Sequence, residues 1–194
     1  ARVHEALKDG TVRMVDCEYL RGLASGSPLL RRQELPEKAF LPQETAASLF
    51  ADGCLRRGTR TLCALSYSWL TALNPDPHGL HLQTVVAFLN STHGLPLKGL
   101  FWDWASMPQK DGHGKRTKEE GDMFVLGLKV MAGLYASAYG TSVLLQQEVP
   151  PPPAEAEVTY NLIPYQQRGW PKLERYAAMI GAVIVAGEGA KDSP

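Results

Sequence analysis

An excess of charge of either sign is what this sequence most plainly lacks. Twenty Lys and Arg face twenty Asp and Glu over 194 residues, and the balance holds in the first 58 residues as well as in the remainder. Binding to DNA or RNA draws on a basic surplus that neutralises phosphates, so no nucleic-acid partner is expected. Long apolar runs are missing too. None approaches the roughly 18–20 residues needed to span a bilayer, and no membrane span is expected. The opening Ala-Arg-Val-His-Glu lacks the apolar stretch of a secretory signal. The chain begins without Met, which fits a processed or excised fragment. Cysteine is scarce: Cys17, Cys54 and Cys63 form no Cys-x-x-Cys pair, and an odd number cannot all pair within one chain. Reduced thiols and a cytoplasmic location are the expectation. Neither a Gly-x-x-x-x-Gly-Lys loop nor a Gly-x-Gly-x-x-Gly turn occurs, which argues against phosphoryl transfer and dinucleotide-dependent dehydrogenation. His78 and His81 stand three apart, but no third ligand has motif spacing, so no metal site is expected. There is no internal repeat.

What is present reads as a globular α/β domain, with 44% hydrophobic and 21% charged residues. Residues 1–58 are the least regular part and read as an irregular N-terminal arm packed on the core. Residues 12–16 are a short strand candidate within it, and residues 43–54 a short helix closing at Gly53. From residue 59 to 194 the pattern alternates. Apolar runs at 61–66, 97–102, 141–145 and 182–186 predict strands. Between them, 78–89 places Leu82, Val85, Val86 and Leu89 on one helical face. Thr117-x-x-Glu120 is a capping box opening a long helix through Phe124, Leu128, Met131 and Tyr135, and 169–180 predicts a last helix. Short apolar strands separated by helices predict a mostly parallel central sheet covered on both faces, a flavodoxin-like three-layer sandwich. Two segments interrupt the alternation. Residues 110–120 form a polar loop, and the Pro-rich insertion at 149–158 holds Pro150 to Pro153 in a stiff run that is either a surface loop or a docking site for a proline-reading partner.

Ligands of open α/β sheets bind beyond the carboxyl ends of the strands. That rule selects Ser66, Tyr67, Ser68 and Trp69 after one strand and residues 103–109 after the next. It also selects the helix start at Arg168-Gly-Trp170-Pro171, with Glu174 just inside. All four tryptophans fall in or beside these segments, and Asp103 and Glu174 are their carboxylates. Each has a structural reading as well: Trp102 and Trp104 as core, only one of the pair facing a given side of the sheet; Asp103 as a turn cap; Glu174 as a charge favoured by the helix dipole.

Together these segments resemble Toll/interleukin-1 receptor-type (TIR) domains. Ala64-Leu-Ser-Tyr-Ser-Trp69 is similar to the family's opening strand. Asn74-Pro-Asp-Pro-His-Gly79 and Phe101-Trp-Asp-Trp-Ala-Ser-Met-Pro-Gln109 resemble a sparsely characterised TIR-like branch of algae, protists and bacteria. Arg168-Gly-Trp-Pro-Lys-Leu-Glu174 is similar to the family's Trp-Cys-x-x-Glu helix start, with Pro171 where Cys is usual. The resemblance covers residues 60–186, and the loop that gates the family's NAD pocket is not recognisable. It implies a domain that binds a nucleotide and cleaves NAD, as substrate and not cofactor, at the nicotinamide–ribose bond through Glu174. Trp69 or Trp170 would stack on a base and Ser66 or Asp103 would bond ribose. Arg168 and the helix N-terminus would keep Glu174 ionised. It equally accommodates a non-catalytic interaction or signalling module that self-associates or joins other protein domains, and a structural subunit of a larger assembly remains the third reading.

Overall fold

The computed structural model describes residues 2–24, 26–55, 60–136, 140–181 and 184–185. Its five strands are β1 (Val15–Asp16), β2 (Leu62–Ser66), β3 (Gly99–Phe101), β4 (Ser142–Leu145) and β5 (Ile184–Val185). Every residue of β2, β3 and β4 is buried, as expected for strands covered on both faces. The sheet order is β1-β3-β2-β4-β5; the last four strands are mutually parallel and β1 runs antiparallel on the β3 edge. Cys63 pairs with Leu100 and Ser142, and Ala64 with Phe101 and Val143.

Seven α-helices accompany the strands among the described residues: α1 (Arg2–Lys8), α2 (Cys17–Arg21), α3 (Gln43–Leu55), α4 (Leu80–Leu89), α5 (Asp103–Ser106), α6 (Lys118–Tyr135) and α7 (Gly169–Gly181). Side chains alternate across the sheet with period two. Cys63, Leu65, Leu100 and Leu144 face a core closed by α2 and α4, while Leu62, Ala64, Phe101, Val143 and Leu145 face a second core closed by α1, α3, α6 and α7. The chain leaves β2 over the first face and returns from β3 to β4 over the second. The crossing point is therefore at β2, where the chain reverses its direction across the sheet.

The strands expected at 61–66, 97–102 and 141–145 are present, each trimmed by a residue or more. The expected strand at 182–186 lies partly outside the described residues. The capping box is formed: Glu120 N donates to Thr117 Oγ1 (3.1 Å) and Thr117 N to Glu120 Oε2 (2.8 Å). The segment 149–158 forms neither helix nor strand, and Pro151 and Pro152 are exposed. Helices α1, α2 and α5 were not legible in the sequence, because four to seven residues hold too few turns for a helical period to show.

Residues 2–55 do more than rest on the sheet. They supply its antiparallel edge and bury Leu7, Met14 and Leu20 completely or nearly so. Arg21 ties α2 to the end of α4 by donating to the carbonyls of Leu89 and Gly94. Contact with β3 is so close that a Cβ on Gly99 would stand 2.6 Å from Leu41 Cδ1 and 3.2 Å from Met14 Cβ. Overpacking of this kind costs about 1–3 kcal/mol. Gly99→Ala is accordingly expected to lower the urea midpoint without altering the slope, and an unchanged midpoint would mean that the edge yields freely.

The expectation that only one of Trp102 and Trp104 faces a given side of the sheet fails: residues two apart in extended chain share a face, and both indoles join the same core at the junction of β3 and α5. Trp104 Nε1 donates to Leu29 O (3.0 Å). The three cysteines are free, Cys17 and Cys63 buried and Cys54 exposed. No helix among the described residues is long and apolar enough to cross a membrane.

Candidate functional site

A cavity of about 750 Å³ opens beyond the carboxyl ends of β2 and β3, closed on its other sides by α6, α7 and the 161–168 segment. Five of the six residues singled out from sequence line it: Trp69, Asp103, Arg168, Trp170 and Glu174. The sixth, Ser66, lies fully buried behind Glu174.

Glu174 reaches this position through helical spacing. Pro171, Glu174, Ala178 and Gly181 form the buried face of α7, so the carboxyl is directed inward and away from the solvent around the helix N-terminus. Ser66 Oγ donates to Glu174 Oε2 at 2.5 Å, and Ser66 Oγ lies 2.7 Å from Tyr165 Oη. Tyr165 Oη also donates to Pro171 O (3.2 Å), so Ser66, Tyr165 and Glu174 form one buried hydrogen-bonded cluster around the carboxyl. Ser66 thus orients Glu174 and is not a cavity wall. Tyr135 stands beside the same carboxyl, with its hydroxyl donating to Leu65 O (2.8 Å). Burial pushes the Glu174 carboxyl up to about 8, the negative charge of Asp103 adds to the rise, and the Ser66 and Tyr135 hydrogen bonds oppose it.

This differs from the expectation that Arg168 keeps Glu174 ionised. The Arg168 guanidinium is turned to backbone carbonyls instead: Nε donates to Ile163 O (2.8 Å), Nη1 to Trp69 O (2.6 Å) and Nη2 to Asn161 O. Its charge is fixed in stitching the 161–168 segment to the turn after β2. Burial therefore favours the neutral form of the Glu174 carboxyl.

Asp103, at the start of α5, has little acceptor capacity to spare. Its Oδ1 accepts from Tyr67 Oη (2.8 Å) and Trp104 N (2.7 Å), and its Oδ2 from Trp69 Nε1 (3.0 Å). Burial raises its pKa, and these three hydrogen bonds oppose the rise. The chief result is a rigid wall. Trp69 is held by its indole N–H and packed edge-on against Trp104, with ring centroids 5.7 Å apart. Trp170, half exposed at the first turn of α7, contributes the second indole.

Sequence reasoning missed Gln109 in its role, Arg116, Phe124 and the 161–168 wall. Arg116 and Phe124 sit in and after the polar loop and in a helix read only for its core side. Nothing local marks residues 161–168 as a wall, since they reach the cavity only by folding back over the turn after β2, with Asn161 N donating to Leu70 O (2.7 Å). His78 and His81 do not share a helix face: His78 Nδ1 pairs with Tyr160 Oη (2.6 Å), and His81, fully buried, lies between Ser68 O and Gln146. Among the described residues no three His, Cys, Asp or Glu side chains are grouped to hold a metal ion. The chain matches no protein-family profile, no curated protein and no solved structure.

Proposed function

We propose that this chain is a TIR-like domain whose cleft binds a nucleotide such as NAD and cleaves it at the N-glycosidic bond, with Glu174 as the catalytic residue. The observation that carries the reading is a buried glutamate, aimed by a Ser66–Tyr165 chain into an indole-lined cavity at the carboxyl ends of parallel strands. Counted alone, the parallel strands run second, first, third, fourth, the order of flavodoxin-like sandwiches, and the cavity stands at the carboxyl ends of the first two of them.

The chemistry asks little of the protein. The C1′–N bond of NAD breaks with its electron pair moving to the pyridinium nitrogen, so nicotinamide leaves neutral and needs no acid. The oxocarbenium left at C1′ requires negative charge close by, and an ionised Glu174 supplies it. Water then adds to C1′ and loses its proton to the medium, giving ADP-ribose. The cationic nicotinamide riboside favours the charged form of Glu174, so substrate entry itself drives loss of the proton that burial holds there. Trp69 and Trp170 offer faces to the base.

A non-catalytic interaction or signalling module, or a subunit of a larger assembly, is the second reading. It is favoured by the exposed apolar side chains of Leu173, Tyr176 and Ile180 on α7, a surface suited to another protein domain. The deciding experiment is incubation of purified protein with NAD, following free nicotinamide by chromatography. Turnover that disappears in Glu174→Ala supports cleavage. Turnover that survives the substitution removes Glu174 from the mechanism, and no turnover with no nucleotide binding at millimolar NAD favours the interaction module.

A further inference from the structure

The cavity has two cations in its walls, Arg116 and Arg168, and they differ in what they have left to give. Arg168 donates from all three of its nitrogens to backbone carbonyls. Arg116 donates from Nε to Pro108 O (2.9 Å) and from Nη2 to Gln109 Oε1 over a long 3.4 Å, and its Nη1 has no hydrogen-bond partner among the described residues. Glu120, the carboxylate whose charge it feels, is engaged elsewhere, with Oε1 on Gln33 and Oε2 on the Thr117 amide.

Arg116 is nevertheless held in place. Its guanidinium carbon stacks 3.6 Å from the centroid of the Phe124 ring, itself a cavity wall. The Gln109 segment beside it is clamped to the N-terminal arm: Gln33 Nε2 donates to Gln109 O (2.8 Å), and Gln109 N donates to Gln33 Oε1 (3.1 Å). A planar, stacked guanidinium with unpaired N–H groups at the wall of a cavity is preorganised for an oxyanion that accepts two parallel hydrogen bonds. The chain has no net charge to attract an anion from a distance, so any phosphate in this cavity depends on such a local group.

We infer that Arg116 is the phosphate-binding residue of the cavity and that the ligand is therefore a phosphorylated nucleotide, not a nucleoside. The inference rests on the nucleotide reading for the base and sugar, but the anion site can be measured separately.

Trp69 and Trp170 in the cavity walls make tryptophan fluorescence the readout, with ADP-ribose, adenosine and inorganic pyrophosphate as ligands. Wild type should bind ADP-ribose more tightly than adenosine. Arg116→Gln should weaken ADP-ribose roughly 10- to 100-fold, the span of one or two charge-assisted hydrogen bonds, and leave adenosine unchanged. Arg116→Lys, which keeps the charge and loses the fork, should fall between. Pyrophosphate that binds wild type and not Arg116→Gln supports the anion site even if no nucleotide binds, in which case only the nucleotide reading fails. ADP-ribose that binds wild type and Arg116→Gln equally overturns the Arg116 assignment and leaves the nucleotide reading standing. Absence of binding by both ADP-ribose and pyrophosphate at millimolar concentration overturns the assignment outright.

Discussion

Glu174→Gln is expected to yield a protein that is more stable at neutral and alkaline pH and, under the proposed function, loses nucleotide cleavage. The stability gain follows from the raised pKa of the carboxyl. Glu174 titrates near 8 in the folded protein against 4.5 for an ordinary glutamate, so between those values the folded state holds a proton that the unfolded state has lost. Stability falls with rising pH wherever the folded state binds more protons, so the contribution of Glu174 is full below about pH 4.5 and declines until about pH 8. The accumulated penalty is on the order of a few kcal/mol. Glutamine removes the titration and keeps the size of the side chain, and its carbonyl oxygen still accepts from Ser66. Urea unfolding at pH 5 and pH 8 should show a large loss for wild type and a smaller one for Glu174→Gln. Equal pH dependence in the two proteins would mean that the carboxyl is ionised in the fold.

The activity arm of the same substitution has a distinct signature. Loss of a fixed charge facing an oxocarbenium costs at least about 100-fold in kcat, as for other preorganised electrostatic groups. The pH profile then identifies which form of Glu174 works. kcat/KM reports the free enzyme, so if the carboxylate is the active form kcat/KM rises with pH and levels off above about 8. The kcat limb should lie lower, because bound cationic substrate favours the carboxylate. A kcat/KM that instead falls above pH 8 would make Glu174 a proton donor and direct attention to substrates whose leaving base must be protonated.

Trp102→Ala carries the second large effect, on stability. Trp102 is completely buried at the junction of β3 and α5, against Tyr67, with ring centroids 5.6 Å apart. Truncating a buried Trp to Ala costs about 3–5 kcal/mol. For a chain of this size each kcal/mol moves the melting temperature by about 2–4 °C, so a fall on the order of 10 °C is expected in a calorimetric scan. The same indole supports the site indirectly. Tyr67 rests on it and donates to Asp103, which holds Trp69, so nucleotide binding should weaken in the folded variant as well. A shift of only a degree or two would mean that the core collapses around the missing ring.

Much of the fold is legible in the sequence because strands buried on both faces read as uncharged apolar runs and long helices show their period. The runs that become β2, β3 and β4 are of this kind, and so are the capping box and apolar stripe of α6. The site is legible in part for the same reason. Once the strands are known, the strand-end rule selects Trp69, Asp103, Trp170 and Glu174, and all four line one cavity. Less visible are the short helices α1, α2 and α5 and the wall at 161–168. Each depends on contacts between residues far apart in the chain.

The roles within the site divide along the same line. Spacing by itself determines that Glu174 and Ala178 share one face of α7, since a helix repeats its face every three or four residues. Composition by itself determines that the chain carries no net charge. Only the tertiary structure decides that Ser66 lies behind Glu174 and outside the cavity lining, that burial raises the pKa of the glutamate, and that all three Arg168 nitrogens are paired while Arg116 Nη1 has no partner among the described residues. Desolvation and hydrogen-bond satisfaction are sums over all neighbours of a group. Some of these neighbours are distant in the chain: Ser66 and Glu174 meet across a separation of 108, and Arg168 reaches Trp69 O across 99.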